Sequence, residues 1–325
     1  MRTLIHDTFG DPAEVITVRE VEDPHPAAGE LLLRTLLAPI HHHDLWTIRG
    51  SYGVKPELPA RPGSEAVAII EELGEGVEGL EVGQRVAVAS APGAWSERFT
   101  APAAAAIPLP DALPDEAAAQ LVAMPFSAVS LLDFLDLEAG DVLVQNAATG
   151  AVGRLLAQFA VARGVRVIGL ARRESGVEEL AAQGITDVVA TDTEGWEDRA
   201  RELIGEGTVR VGLDSVGGEA ATQVLNLLSD GGRLVVFGAM AASTMAVPSG
   251  PIIFRGLSVE GFWGARVSAE MEPAHRAELM REIITRLLSG EATLPVAATY
   301  PLEEAAEAVR ATLGDARGGK VLLRP

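Results

Sequence analysis

The 325-residue chain contains no cysteine. That excludes disulfides, thiolate nucleophiles and every metal site built on sulfur. Aromatic residues are scarce at 4%, with two tyrosines and four tryptophans, so an aromatic near a candidate site is informative. Positive charge is short as well: 26 Lys and Arg stand against 46 Asp and Glu, a formal net charge of -20. Such a field repels nucleic acid and anionic membrane, and neither is expected as a partner. No stretch approaches the about 20 uninterrupted apolar residues of a spanning helix. The opening MRTLIHDTFG has no basic start running into an apolar segment. The expectation is a cytoplasmic protein acting on a small molecule.

What is present is 48% hydrophobic residues over a length that favours two domains. Residues 1–119 read as short alternating segments, ITVREVEDP, GELLLRTLLAPI, EAVAIIEELGEGV and GQRVAVA, broken by Gly and Pro. That pattern predicts a mostly β, barrel-like domain with tight turns and bulges. Residues 120–265 change rhythm to apolar strands alternating with helical stretches, VLVQNA, RLLAQFAVARG, VRVIGLA, VEELAAQG, VRVGLDSVGG and RLVVFGAM among them. This predicts an α/β domain with a doubly wound parallel sheet covered on both faces. Residues 266–325 read as a helix near 275–289, another near 302–313 and a final strand, together a return to the first domain.

The most telling segment is DVLVQNAATGAVG, residues 141–153. A buried strand runs into a small-residue turn and then an amphipathic helix, which is how a chain receives a pyrophosphate. Gly150 and Gly153 let backbone approach phosphate oxygens, and the open amides of the helix start supply donors. The first glycine of G-x-G-x-x-G is replaced by Ala148, so the fingerprint is A-x-G-x-x-G. About 20 residues on, where an NAD enzyme presents an acid to the ribose, the second strand ends in Arg172 and Arg173. Guanidinium groups suit a phosphate. The cofactor expected is therefore NADPH, held locally by arginines against a repulsive global field.

Three consecutive histidines, His41, His42 and His43, precede Asp44. Adjacent side chains point in different directions, so the three cannot share one ion on a regular backbone; a metal site would need a remote donor such as Glu65 or His6. One of His41 and His42 is expected to face a cleft. Tyr52, in RGSYG, carries a hydroxyl able to hydrogen-bond or protonate a developing enolate, or else covers a turn. Trp95, Phe262 and Trp263 could wall a pocket for a flat ring, or be core.

Across its whole length the order of HHHDLWTIRGSYG, PGSEAV, GLEVGQRV, QNAATGAVG, DSVGG, GRLVVFGAM, FRGLSVEGFW and GGKVLL resembles the medium-chain dehydrogenase/reductase superfamily. Within it, QNAATGAVG, FGAM and the GFW ending resemble the NADPH-dependent 2-enoyl thioester reductases, with the zinc-free quinone oxidoreductases close behind. The resemblance implies a GroES-like catalytic domain, a Rossmann nucleotide domain and pairing of two copies through the edge of the nucleotide sheet. Zinc-dependent relatives carry cysteine and histidine ligands where this chain has His41 and Ser64, with Glu65 kept. Enoyl reductases carry N-P-S-D, and quinone reductases N-x-x-D, where this chain has His41-His42-His43-Asp44.

The resemblance further places Tyr52 opposite the nicotinamide and Trp95, Phe262 and Trp263 about the substrate; the cleft-facing histidine read above adds His41 to the catalytic set and His42 to the pocket. It places Asn146, Thr149, Gly150, Val152, Gly153, Arg172, Gly238, Met240, Phe262, Trp263 and Lys320 about the cofactor, to which the strand-end reading adds Arg173. The function implied is zinc-free reduction of an enoyl thioester, enone or quinone by hydride transfer from NADPH. Two alternatives stay open: an alcohol dehydrogenase with a metal held by His41 or His42 and Glu65, and a non-catalytic NADPH-binding protein.

Overall fold

A computed structural model describes residues 1–53, 55–314 and 318–325. The chain forms two compact units, Met1–Ala123 with Thr293–Pro325, and Met124–Ala292. The first is built on a sheet whose strands lie in the order Val296–Pro301, Lys320–Arg324, Glu30–Pro39, Glu65–Leu73, Arg85–Ala89, Ala106–Pro108; Arg98–Pro102 also pairs with Glu30–Pro39. Glu30–Pro39 is the longest strand and is buried at seven of its ten positions. Its register against Glu65–Leu73 shifts between Leu32 and Leu33 and again between Thr35 and Leu37. Each extra residue tightens the local twist and curls the sheet. Leu31, Leu33, Ile70, Val86, Val88, Trp95 and Phe99 fill the interior.

The second unit contains a wholly parallel sheet. In chain order its strands are β1 (Val142–Gln145), β2 (Arg166–Ala171), β3 (Val188–Ala190), β4 (Val209–Asp214), β5 (Arg233–Val236) and β6 (Ser258–Gly261), and in space they run 3-2-1-4-5-6. This is the doubly wound dinucleotide-binding order, in which connections reverse direction between β1 and β4. Helix α1 (Ala151–Ala162) follows β1 and buries Leu155, Leu156, Phe159 and Ala160. Continuous apolar strands such as Val142-Leu143-Val144 are buried on both faces, as helices on both sides require.

Both boundaries differ from the sequence reading, the first slightly, with the second unit beginning at Met124 instead of residue 120, and the second by more. The return to the first unit begins at Thr293 instead of residue 266. Helix Pro273–Ser289 stays with the second unit because it buries Leu279, Met280 and Ile283 there. Its Glu282 also accepts hydrogen bonds from Arg163, beyond the C-terminal end of α1, and from Arg286 on its own next turn.

Candidate active site

The turn after β1 shows why its sequence departs from the usual glycine pattern. The left-handed residue is Ala147, at φ 47°, and Gly150 caps α1 in an extended conformation. Position 148 therefore needs no positive φ. The Cβ of Ala148 is accommodated because β2 carries Gly169 beside it: a Cβ on Gly169 would lie 3.0 Å from that of Ala148. At Gly153, in contrast, a Cβ would fall 2.7 Å from the Ala147 carbonyl oxygen and 3.1 Å from that of Ala148. Only glycine lets α1 sit this close to the turn. Thr149 and Val152 flank these glycines half-buried, and the Thr149 carbonyl accepts a 2.7 Å hydrogen bond from Arg154 Nε.

Asn146 and Asp214 end the two strands at the reversal point. The Asn146 side-chain amide donates to Asp214 Oδ1 at 2.5 Å, and its own Oδ1 accepts from the Ser215 amide at 2.9 Å. Asp214 also accepts from the amides of Val216 and Gly217. Asn146 is thus committed to joining β1 to β4. Asp214 and Ser215 were missed as site residues in the sequence, although DSVGG ends an apolar strand in a glycine turn. Gly238 belongs to the same crossing: a Cβ there would lie 2.9 Å from the Ser215 carbonyl oxygen. At the end of β2, Arg172 and Arg173 are exposed, and neither guanidinium has a hydrogen bond or ion pair among the described residues.

In the first unit a polar cluster lies under helix His42–Arg49. His41 caps the helix, its amide donating to Asp44 Oδ2 at 3.0 Å, and Gly50 closes it in the left-handed region at φ 72°. His41 is fully buried, with Nε2 2.7 Å from Glu65 Oε2. Glu65 Oε1 accepts from the amides of Val122 and Ala123 at 2.6 and 3.1 Å. Burial holds the His41 imidazole well below its ordinary value, helped by the Lys320 ammonium. It pushes the Glu65 carboxyl up to about 7, opposed by the two amides and by Lys320. Lys320 is itself pushed down by burial and held up by Glu65 and Asp44. His41 Nδ1 has no hydrogen-bond partner among the described residues. A neutral His41 donating from Nε2 leaves a bare acceptor there, whereas the other tautomer would strand a buried donor.

His43 stacks on His41, with ring centroids 4.9 Å apart and planes at 18°. Its Nε2 lies 2.8 Å from Ser64 Oγ, and its ring lies 6.1 Å from that of Tyr52. Tyr52 is 42% exposed just beyond the helix cap. The structure thus gathers His41, His43, Tyr52, Ser64, Glu65 and Lys320; His43 and Ser64 were not singled out in the sequence as site residues.

Residues 27–111 match the family model described as alcohol dehydrogenase GroES-like domain, and residues 151–279 the one described as zinc-binding dehydrogenase. The human mitochondrial enoyl-(acyl-carrier-protein) reductase is 30% identical over 319 residues, 96% of this chain and 86% of that protein. Its Caenorhabditis elegans counterpart is 31% identical over 319 residues, 96% and 92% respectively. The chain belongs to the medium-chain dehydrogenase/reductase superfamily. Among solved members, the Escherichia coli quinone oxidoreductase complexed with NADPH superposes with a TM-score of 0.88 at 27% identity, covering 100% of both chains.

Zinc, which the name of one superfamily model suggests, does not fit the donors present. His41 Nε2 and both Glu65 oxygens are already engaged, and the Lys320 ammonium presses its own positive charge on the same spot. No group of three His, Cys, Asp or Glu among the described residues could hold a metal. NADPH does fit. The Gly150–Gly153 turn is open to close approach, α1 offers the first-turn amides that no helical carbonyl can take, and Arg172 and Arg173 stand ready at the end of β2.

The remaining predicted residues scatter. Trp95 walls no pocket: it is fully buried, its indole N–H donates to the Pro39 carbonyl at 3.0 Å, and it packs where a Cβ on Gly63 would fall 2.4 Å from its ring. Phe262 is also buried, its ring 5.3 Å from Phe134. Trp263 and Met240 are exposed. His42 is half-buried and tilts against Trp46, with ring centroids 6.2 Å apart. Lys320, expected beside the cofactor, has Glu65 and Asp44 as its charge partners in the first unit.

Proposed function

We propose that the protein is an NADPH-dependent reductase of an activated carbon–carbon double bond or a quinone, working by hydride transfer without zinc. The observation that carries the reading is the pair of unengaged guanidinium groups at the end of β2, next to a glycine turn at the reversal point of a 3-2-1-4-5-6 sheet. A 2′-phosphate suits those groups, a ribose diol does not. Whole-length similarity to enoyl-(acyl-carrier-protein) reductases and to a quinone oxidoreductase solved with NADPH supports the acceptor class.

Bound NADPH supplies a hydride. The chain's own part is to hold and orient: the Gly150–Gly153 amides take the pyrophosphate, Arg172 and Arg173 the extra phosphate, and Tyr52 hydrogen-bonds the negative charge that develops on the acceptor. Fixing two reactants in one geometry is worth much of the barrier. A screen of NADPH oxidation against enoyl thioesters, short enones and quinones tests the reading. Turnover with at least one class is expected. Tight NADPH binding with no turnover of any would instead make the protein a cofactor-binding one.

We also infer that two copies pair through β6, the edge of the parallel sheet. Around it Phe254 is 86% exposed, Trp263 69% and Ile253 68%, with Val259 half-exposed on the strand. An unpaired strand beside a large apolar patch is what association covers. A cytoplasmic location belongs to the same proposal; no helix among the described residues is long and apolar enough to cross a membrane.

A further inference from the structure

We propose that Ser64 and His43 are a proton-delivery pair for the reduction of an activated carbon–carbon double bond, Ser64 handing its hydroxyl proton to the product carbon and His43 reloading Ser64 from solvent. The inference rests on the reductase reading and adds to it the source of the second hydrogen.

Reduction needs a hydride and a proton, and the proton donor must be refilled each turnover. Tyr52 is 42% exposed with no hydrogen-bonded partner among the described residues to fix its hydroxyl, and it is left the part of hydrogen-bonding the developing charge. Ser64 has one: its Oγ lies 2.8 Å from His43 Nε2. The imidazole has a ring on either hand, stacking on His41 with centroids 4.9 Å apart and lying 6.1 Å from Tyr52. The depth of the two stacked rings divides their work. His41 is sealed from water and tied to Glu65, so it serves as a floor. His43 keeps 27% of its side chain exposed and can exchange protons with solvent. The other titratable groups about it are Tyr52, Asp44, whose Oδ1 lies 3.6 Å from Nε2, and, behind His41, Glu65, which contacts His41 Nε2, and Lys320, whose charge acts on His41.

The step balances. Hydride from NADPH forms the new bond to the electrophilic carbon, and the π pair moves onto the adjacent carbon and its carbonyl. That carbon then takes the proton of Ser64 Oγ, forming C–H as O–H breaks. The serine oxygen takes the Nε2 proton of His43 while Nδ1 takes one from water, and exchange with solvent restores the starting tautomer. One NADPH and one solvent proton are consumed per product.

The test uses the full chain with the crotonyl thioester of coenzyme A and with 1,4-benzoquinone. The thioester needs protonation at carbon, whereas both quinone protons go to oxygen, which water serves readily. Ser64→Ala and His43→Gln are expected to cut crotonyl kcat by at least about tenfold, and quinone kcat by a clearly smaller factor. Ser64→Thr, which keeps the hydroxyl, should recover most of the crotonyl rate. In cofactor-free protein the 15N resonance of His43 Nε2 should move in Ser64→Ala and return in Ser64→Thr. Crotonyl turnover retained within twofold in Ser64→Ala, or equal losses on both acceptors, would overturn the pair. Wild-type activity on the quinone alone would overturn it while leaving the reductase reading in place; inactivity on every acceptor would end both.

Discussion

At the scale of single residues, charge placed out of water carries the chemistry. Glu65 titrates near 7 in the folded chain because it is buried, against 4.5 for an ordinary glutamate. Between those values the native state holds a proton that the unfolded chain has released, so this group's contribution to stability falls as pH rises through that window. His41 runs the other way, since its lowered folded value makes its contribution fall as pH drops below the ordinary histidine range. Glu65→Gln removes the first limb and leaves the second. Melting curves at pH 5 and pH 8 should show the variant gaining on the wild type at the higher pH, and a constant difference would mean that Glu65 is ionised throughout. Arg172 is argued at the same scale. Arg172→Ala should weaken NADPH binding by about 1–3 kcal/mol while NADH is nearly unchanged, read by titration calorimetry; equal losses for the two would remove the phosphate grip.

At the scale of elements, the α/β rhythm was plain in the sequence because buried parallel strands are apolar without alternation and stop at glycine turns. The tight turn after β1 was legible from Gly150 and Gly153, and the end of β2 from Arg172 and Arg173. The space that Gly169 makes for Ala148 was not, since it joins residues on neighbouring strands. The aromatics misled for a related reason: Trp95 and Phe262 are recognisable as large and rare, but whether a ring faces a cleft or the core is decided by partners far away in the chain, Gly63 and Pro39 in one case and Phe134 in the other. The His43–Ser64 contact joins residues 21 apart, one in the first turn of a helix and one just before a strand, and no spacing rule marks it. Gly153→Ala tests the turn. Its new Cβ must displace backbone carbonyls, for which a stability loss of about 1–3 kcal/mol is expected, with NADPH affinity falling at least tenfold. Unchanged binding in thermal-shift and fluorescence titrations would mean that α1 moves freely.

At the scale of the whole molecule, the exposed edge β6 and the broken course of the first unit matter most. Val259→Asp with Phe254→Asp should convert a dimer to monomer in sedimentation experiments if β6 is the seam, and a wild type that sediments as a monomer at micromolar concentration would remove that reading. The first unit's sheet is finished only when Lys320–Arg324 slots between Val296–Pro301 and Glu30–Pro39. On the ribosome, therefore, Met1–Ala123 must wait with an open seam for Thr293–Pro325, while Met124–Ala292, an uninterrupted run, can complete its own sheet. The parallel-sheet unit is ready before the unit that holds His41 and Glu65, and Lys320, which completes their cluster, follows both in the chain. A nascent chain could thus carry its coenzyme before it has a finished centre in which to use it.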